Sequence, residues 1–164
     1  MSYNLYKEIN ENISFARVES EFLMQPDQLN PQGTIHGGEI MKTMDTIAGI
    51  AARKHCKGKV VTRRLDDVEF FKPIEVGDVI TIIAQLIYVG TSSMEILVQI
   101  YLHDLMDFSN PQLATSAFVT MIHLVDESPH KVPKLVVKSN EDKILYDLGE
   151  KKHREIRQKI NMSS

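Results

Sequence analysis

The spacing of apolar residues changes along the chain, and each change predicts an element. Around positions 14 to 24 apolar residues alternate weakly with Arg17, Glu19 and Glu21, the period of a strand. Pro26, Asp27, Asn30, Pro31 and Gly33 then supply dense turn chemistry, so a structured loop follows. From Gly38 to about His55 the period lengthens. Met41, Met44, Ala48 and Ala51 or Ala52 recur at helical spacing, and Lys57-Gly58 supplies the stop, which predicts one long buried helix. Four extended segments come next: Val60 to Phe71, Asp78 to Val89, Ser92 to His103 and Leu113 to Val125. Pro73 to Gly77 separates the first two, Gly90-Thr91 reads as a short hairpin turn, and Ser109-Asn110-Pro111 as a longer loop. From Asn140 to Ile160 helical spacing returns at Ile144, Leu148, Ile156 and Ile160 with charges between, the pattern of a surface helix.

Sequential strands with short links predict an antiparallel meander. One apolar helix against one curved antiparallel sheet is a complete two-layer architecture, so the class is α+β. The unpaired helix start and sheet edges then favour pairing with a second copy. Residues 14–126 form the expected domain, with a linker around Pro129 to Pro133 and the C-terminal helix filling 127–164.

Composition narrows the picture. At 164 residues, 43% apolar and 25% charged, the chain suits one globular domain. A formal net charge of −3 argues against a nucleic-acid face. Cys56 is the single cysteine, so no intrachain disulfide framework exists, as expected of a cytoplasmic protein. The first ten residues lack the unbroken apolar stretch of an export signal, and the apolar run Val79 to Val89 is too short to cross a bilayer. Neither nucleic acid nor membrane is an expected partner.

Asp45 stands in the otherwise apolar helix, and an acid on the core side of a helix is expected to serve chemistry or a buried hydrogen bond. One reading of it is a hydrogen bond to a neighbouring strand; the other is a base beside the small residues Ala48 and Gly49. The run from Asn30 to His36 leads straight into Gly37 and Gly38, whose N–H groups would face outward at a positive helix end. Glycines there serve either as a plain N-cap or as an oxyanion site that a carbonyl can approach closely. Eight positions on a straight helix span about 12 Å at 1.5 Å per residue, so one chain cannot bring Gly37 and Asp45 to the same carbonyl. If both act on one substrate, Asp45 must come from a second, antiparallel copy.

Gly33-x-x-His36-Gly37-Gly38 with Met44-Asp45, then Val61-Thr62, Phe70-x-x-Pro73, Gly77-Asp78 and Ser92-Ser93-Met94-Glu95, resembles the hotdog-fold acyl-CoA thioesterases of the brain acyl-CoA hydrolase-like group. The likeness spans roughly 14 to 126, and Val132-Pro133-Lys134-Leu135 also looks like that group's carboxyl-terminal stretch. The resemblance implies a sheet wrapped around one central helix, a double-hotdog homodimer, often a trimer of dimers, and hydrolysis of acyl-CoA without metal or cofactor. Position by position, Asp45 matches the catalytic acid, Asn30 the active-site asparagine, Thr62 a hydroxyl residue at the next strand's start, and Gly37 and Gly38 the helix-start donors. In the expected mechanism Gly37 and Gly38 hold the thioester oxygen, and Asp45 of the other copy deprotonates a water positioned by Asn30 and Thr62. Direct attack by Asp45 to form an anhydride stays open.

Secondary candidates are His36 as a loop-shaping or thioester-contacting residue, and Arg63, Arg64, Ser92 and Ser93 along the coenzyme A path, with Lys57 and Lys59 nearby. Strand alternation would point only one of Arg63 and Arg64 to a given face. The other five histidines show no ligand spacing, so no metal is expected. Two rival functions remain: a hotdog hydratase or dehydratase using His36 as base, and a non-catalytic acyl-CoA sensor.

Overall fold

The computed structural model describes residues 3–6 and 12–163. In chain order it contains β1 (Arg17–Leu23), a short 3-10 turn (Pro26–Gln28), α1 (Gly37–Cys56), β2 (Lys59–Phe70), β3 (Val79–Val89), β4 (Ser93–Asp104), β5 (Asp107–Val125), β6 (Ser128–Pro129) and α2 (Asn140–Ser163). The antiparallel sheet has the order β1-β3-β4-β5-β2, with β6 added alongside β5.

The predicted helix and the strand segments are all present, but β2 does not pair with β3. It lies at the far edge against β5, and β1 takes the place beside β3. The link between β2 and β3 is pinned under the start of α1: Ile35 N donates to Ile74 O at 2.8 Å, Met24 N to Asp78 O at 2.9 Å and Gly77 N to Met24 O at 3.0 Å. The chain therefore crosses the sheet instead of folding back as a hairpin. A second difference concerns Ser109-Asn110-Pro111, which lies inside β5; the turn falls at Leu105 and Met106. Pro111 is tolerated because pairing is irregular there, with a register shift between Leu102 and Asp104.

Helix α1 buries Ile40, Met44, Ile47, Ala48, Ala51 and Ala52 against the concave face of the sheet. It ends with Lys57 in the left-handed region at φ 54°, whose N–H donates to Arg53 O at 2.8 Å, and Arg53, Lys54 and His55 complement the negative helix end. The sheet residues meeting it alternate along each strand: Ala84 and Leu86 of β3, Met94, Ile96 and Val98 of β4, Ala117 and Val119 of β5. Fully burying an Ile or Leu in such a layer is worth roughly 1.5–3 kcal/mol.

The near-continuous burial of β3 and β4 needs a second cover, and α2 is that cover. Its face carrying Leu145, Gly149, Lys152 and Ile156 packs on β3 and β4 opposite α1, so the helix expected at the surface is also a layer of the core. A Cβ added at Gly149 would come within 2.5 Å of Tyr88 Cβ and 2.8 Å of Ile87 Cγ1; helix and strand approach too closely for any side chain. Ser139 Oγ caps the helix by accepting from Asp142 N at 3.0 Å. Asp142 in turn accepts from Ser14 N (2.9 Å), Ser14 Oγ (2.6 Å) and Lys138 N (3.0 Å), tying the N-terminal segment to α2.

This second face is polar as well as buried. Gln99 accepts from Leu5 N at 2.9 Å and from the Tyr101 hydroxyl, and donates to Tyr3 O. Burial pushes the Tyr101 phenol up to about 12, so it stays a neutral donor. No helix among the described residues is long and apolar enough to cross a membrane.

Candidate active site

The loop before α1 is built around Asn30. Its Oδ1 accepts from Gln32 N (3.0 Å) and Thr34 N (3.1 Å), and its Nδ2 donates to Thr34 Oγ1 (2.8 Å). Asn30 N also donates to Thr34 O at 2.8 Å, and Gly33 adopts φ 85° to close the turn. With one amide hydrogen still uncommitted, Asn30 can hold one external acceptor while it shapes the loop.

Beyond that loop His36 forms the N-cap of α1. Its Nδ1 accepts from Gly38 N at 2.9 Å, and its carbonyl accepts from Glu39 N (2.9 Å) and Ile40 N (3.2 Å). An Nδ1 that accepts carries no hydrogen, so the neutral ring holds its proton on Nε2. The two glycine donors are thus unequal. Gly38 N–H is engaged by the imidazole, whereas Gly37 N–H has no acceptor among the described residues.

Gly37 lines a concavity of about 280 Å³ together with Ile40, Phe70, Phe71, Lys72 and Ile74. Phe70 stands directly over Gly37: a Cβ there would lie 3.6 Å from Phe70 Cζ. Phe70 and Phe71 both line this pocket and are each about half exposed.

Asp45 is not enclosed in the core as its apolar neighbours imply. It flanks the buried stripe of α1 on the side of β2, half-buried, and accepts a hydrogen bond from Thr62 Oγ1. Thr62, on β2, also lies 3.5 Å from Met121 Sδ. Ala48 points wholly into the core, and a Cβ on Gly49 would meet Met121 Cε at 3.8 Å, so the open space beside Asp45 lies outward, not along the helix. Gly37 and Asp45 occupy one continuous helix, and in the single chain they belong to separate places.

A register shift between Thr62 and Arg64 breaks strand alternation, and Arg63 and Arg64 line one cavity in consequence, against the expectation that only one would. Arg64 is spent on Asp66, which it grips through Nε (3.1 Å) and Nη2 (3.0 Å). Ser92 and Ser93 join Arg63 in a neighbouring groove. Lys57 and Lys59 do not: Lys57 caps α1 and Lys59 pairs with Glu127. The same groove collects Lys131 and Lys134 from the segment after β6 and His153 and Arg157 from α2, which sequence reasoning missed because they lie far along the chain from Arg63 and Ser93. Among the described residues no group of three or more His, Cys, Asp or Glu side chains could hold a metal.

The thioesterase superfamily profile matches residues 32–108. The chain is 34% identical over 149 residues to the cytosolic acyl coenzyme A thioester hydrolase of Mus musculus, covering 90% of this chain and 39% of that protein. It therefore spans well under half the length of such mammalian relatives. An acyl-CoA hydrolase from Staphylococcus aureus, solved with butyryl coenzyme A, coenzyme A and coenzyme A disulfide, shares 34% identity and a TM-score of 0.76, covering 90% of this chain and 93% of that one. Variants of that hydrolase with alanine for an asparagine, an aspartate and a threonine were also solved, and the three positions have the sequence spacing of Asn30, Asp45 and Thr62. A hexameric thioesterase from Yersinia pestis aligns with 34% identity and a TM-score of 0.64, covering 70% of this chain and 93% of that one. The sheet wrapped on α1, the glycine-led helix and these relatives agree: the chain belongs to the hotdog-fold acyl-CoA thioesterase family.

Proposed function

We propose that the protein hydrolyses acyl-CoA thioesters to a free acid and coenzyme A at a site shared between two copies of the chain. The observation that carries this reading is the half-exposed Asp45 carboxylate held by the Thr62 hydroxyl, with Asn30 at the spacing of its substituted counterparts in the S. aureus hydrolase.

The thioester oxygen accepts from Gly37 N–H at the positive end of α1, and from Gly38 N–H once the His36 ring turns away. Asp45 of the other copy takes a proton from water, and the resulting hydroxide adds to the carbonyl carbon. The C–S bond of the tetrahedral intermediate breaks, and the departing thiolate recovers the proton from Asp45. Thr62 donates to the carboxylate, so its role is to aim Asp45; the spare Asn30 amide hydrogen is the one that can hold the water. Attack by Asp45 itself would pass through an anhydride and is distinguished by oxygen-18 entering the Asp45 carboxylate during a single turnover. No metal or other cofactor enters either route.

The long edge strand β2, exposed over much of Lys59–Phe70, is the surface on which a second copy would pair. A homodimer, assembled three times into a hexamer, agrees with the hexameric Yersinia relative. A cytoplasmic site of action fits the cytosolic mouse relative. The deciding test follows free thiol released from acyl-CoA. Asp45→Ala should lower kcat by about 10²–10⁴-fold, the range of a general base. Loss of enoyl absorbance without thiol release would instead make the protein a hydratase, and tight binding without either signal a sensor.

A further inference from the structure

Alternate residues of β5 turn towards α1, and Thr115 shares that side with Ala117 and Val119. Thr115 is fully buried, and among the described residues its hydroxyl has no hydrogen-bond partner. The hydroxyls on the opposite side of the strand are engaged: Thr120 Oγ1 donates to Glu95 at 2.6 Å, and Ser116 Oγ accepts from Gln99 Nε2 at 3.5 Å. The carbonyl just before Thr115, Ala114 O, already accepts from Phe71 N at 2.8 Å and Lys72 N at 3.3 Å. Valine has the shape of threonine without the hydroxyl, so a position that served packing alone would be more stable with valine.

The place of this hydroxyl is specific. Its cross-strand partner on β2 is Phe70, and Ile100 flanks it on β4. Paired residues of antiparallel strands hold their Cβ atoms about 4.5–5.5 Å apart on one face, so the Phe70 side chain starts beside Thr115. Its ring tip reaches α1, where a Cβ on Gly37 would meet Phe70 Cζ at 3.6 Å. One aromatic side chain therefore runs from the buried hydroxyl to the start of α1, and Phe70 also lines the concavity of about 280 Å³ that holds Gly37. Phe70 is half exposed, so a turn of its ring towards solvent joins the hydroxyl to that concavity.

We infer that Thr115 determines specificity: its hydroxyl binds an oxygen carried on the acyl chain, as a hydroxyl or an oxo group, when the chain enters past Gly37 and displaces the Phe70 ring. This deepens the hydrolase reading above and rests on it. With the thioester oxygen held at Gly37 N–H, the oxygen that meets Thr115 lies several carbons beyond the carbonyl, about the length of the ring it replaces. Threonine both donates and accepts, so it suits either group. Ile40, Ile74 and Ile100 around it are apolar, and an unsubstituted chain leaves the hydroxyl unpaired, which is how a single polar group in an apolar wall discriminates.

The test compares octanoyl-CoA with its hydroxy and oxo derivatives substituted at successive positions. Thiol release gives kcat/KM for each, and calorimetry gives their binding to Asp45→Ala, which does not turn them over. At one position the wild-type chain should favour the oxygenated substrate about tenfold, the worth of one net hydrogen bond. Thr115→Val should erase that preference and Thr115→Ser should keep it. Thr115→Val should also raise Tm by about 2–4 °C, because it removes an unpaired buried hydroxyl. Thr81→Val deletes a buried hydroxyl that is paired, 2.6 Å from His103 Nε2, so it should lower Tm and leave the preference at its wild-type value. A preference unchanged in Thr115→Val overturns the site, as does equal use of every derivative by the wild-type chain. A fall in Tm for Thr115→Val also overturns it, since the hydroxyl would then serve a bond within the protein. Normal thiol release beside any of these results leaves the hydrolase reading intact. Preferential binding of an oxygenated chain with no thiol release from any acyl-CoA fells the hydrolase reading and keeps the role of Thr115.

Discussion

Thr62 and Asp45 form a pair whose two members depend on each other. A half-exposed carboxylate samples several rotamers unless a donor selects one, and Thr62 Oγ1 is that donor. Thr62→Val keeps shape and strand preference but removes the donor, so kcat should fall about 10–100-fold while Thr62→Ser largely restores it, as read by thiol release. Asp142 shows the same economy in a structural role. Burial works to raise its carboxyl, but the hydrogen bonds from Ser14 and Lys138 outweigh burial and hold it below the ordinary 3.8. A lowered carboxylate contributes stability that is full above about pH 4 and is lost as pH falls through its folded value. Thermal unfolding followed from pH 6 down to pH 2 should show this loss, and Asp142→Asn should flatten that part of the profile and lower Tm at neutral pH.

At the scale of elements, α2 decides more than its amphipathic sequence conveys. It closes the outer face of β3 and β4, buries Lys152 against Phe118 with Asp67 as its ion-pair partner, and brings Arg157 and His153 to the groove. Its docking depends on close approach at Gly149, where a methyl would strike both Tyr88 and Ile87. Gly149→Ala should cost about 1–3 kcal/mol through overpacking, although alanine favours the isolated helix. Denaturant unfolding measures this directly, and a more stable variant would mean that α2 does not pack as described. The register shift after Thr62 is a second element-scale device: it turns two consecutive arginines into one cavity, which simple alternation along a strand forbids.

For the whole molecule the decisive feature is separation. The open Gly37 donor and the Asp45–Thr62 pair lie about two helical turns apart on α1, too far to meet at one carbonyl. Mixing equal amounts of an Asn30→Ala chain and an Asp45→Ala chain should regenerate one intact site per heterodimer; random exchange makes about half of the dimers hybrid, so the mixture should recover up to about a quarter of wild-type activity, with subunit exchange verified by mass. An inactive mixture after complete exchange rejects the shared site. Sedimentation of the wild-type chain should give a multiple of the dimer, six copies being expected from the Yersinia relative.

The local chemistry of the chain was legible residue by residue. Helical spacing from Gly38, the glycine pair, the lone Asp45 and the alternation in each strand are written in neighbouring positions, because backbone sterics and hydrophobic period act over a few residues. The order of the strands was not, since the position of β2 beside β5 follows from a link pinned beneath α1 by hydrogen bonds to distant residues. Nor was the exposure of Asp45, the capture of Gly38 N–H by His36, or the gathering of Arg63, Lys131, Lys134, His153 and Arg157 in one groove. Each of these depends on which surfaces come to face one another once the sheet curls around one helix and is covered by a second, and no spacing along the chain encodes that meeting.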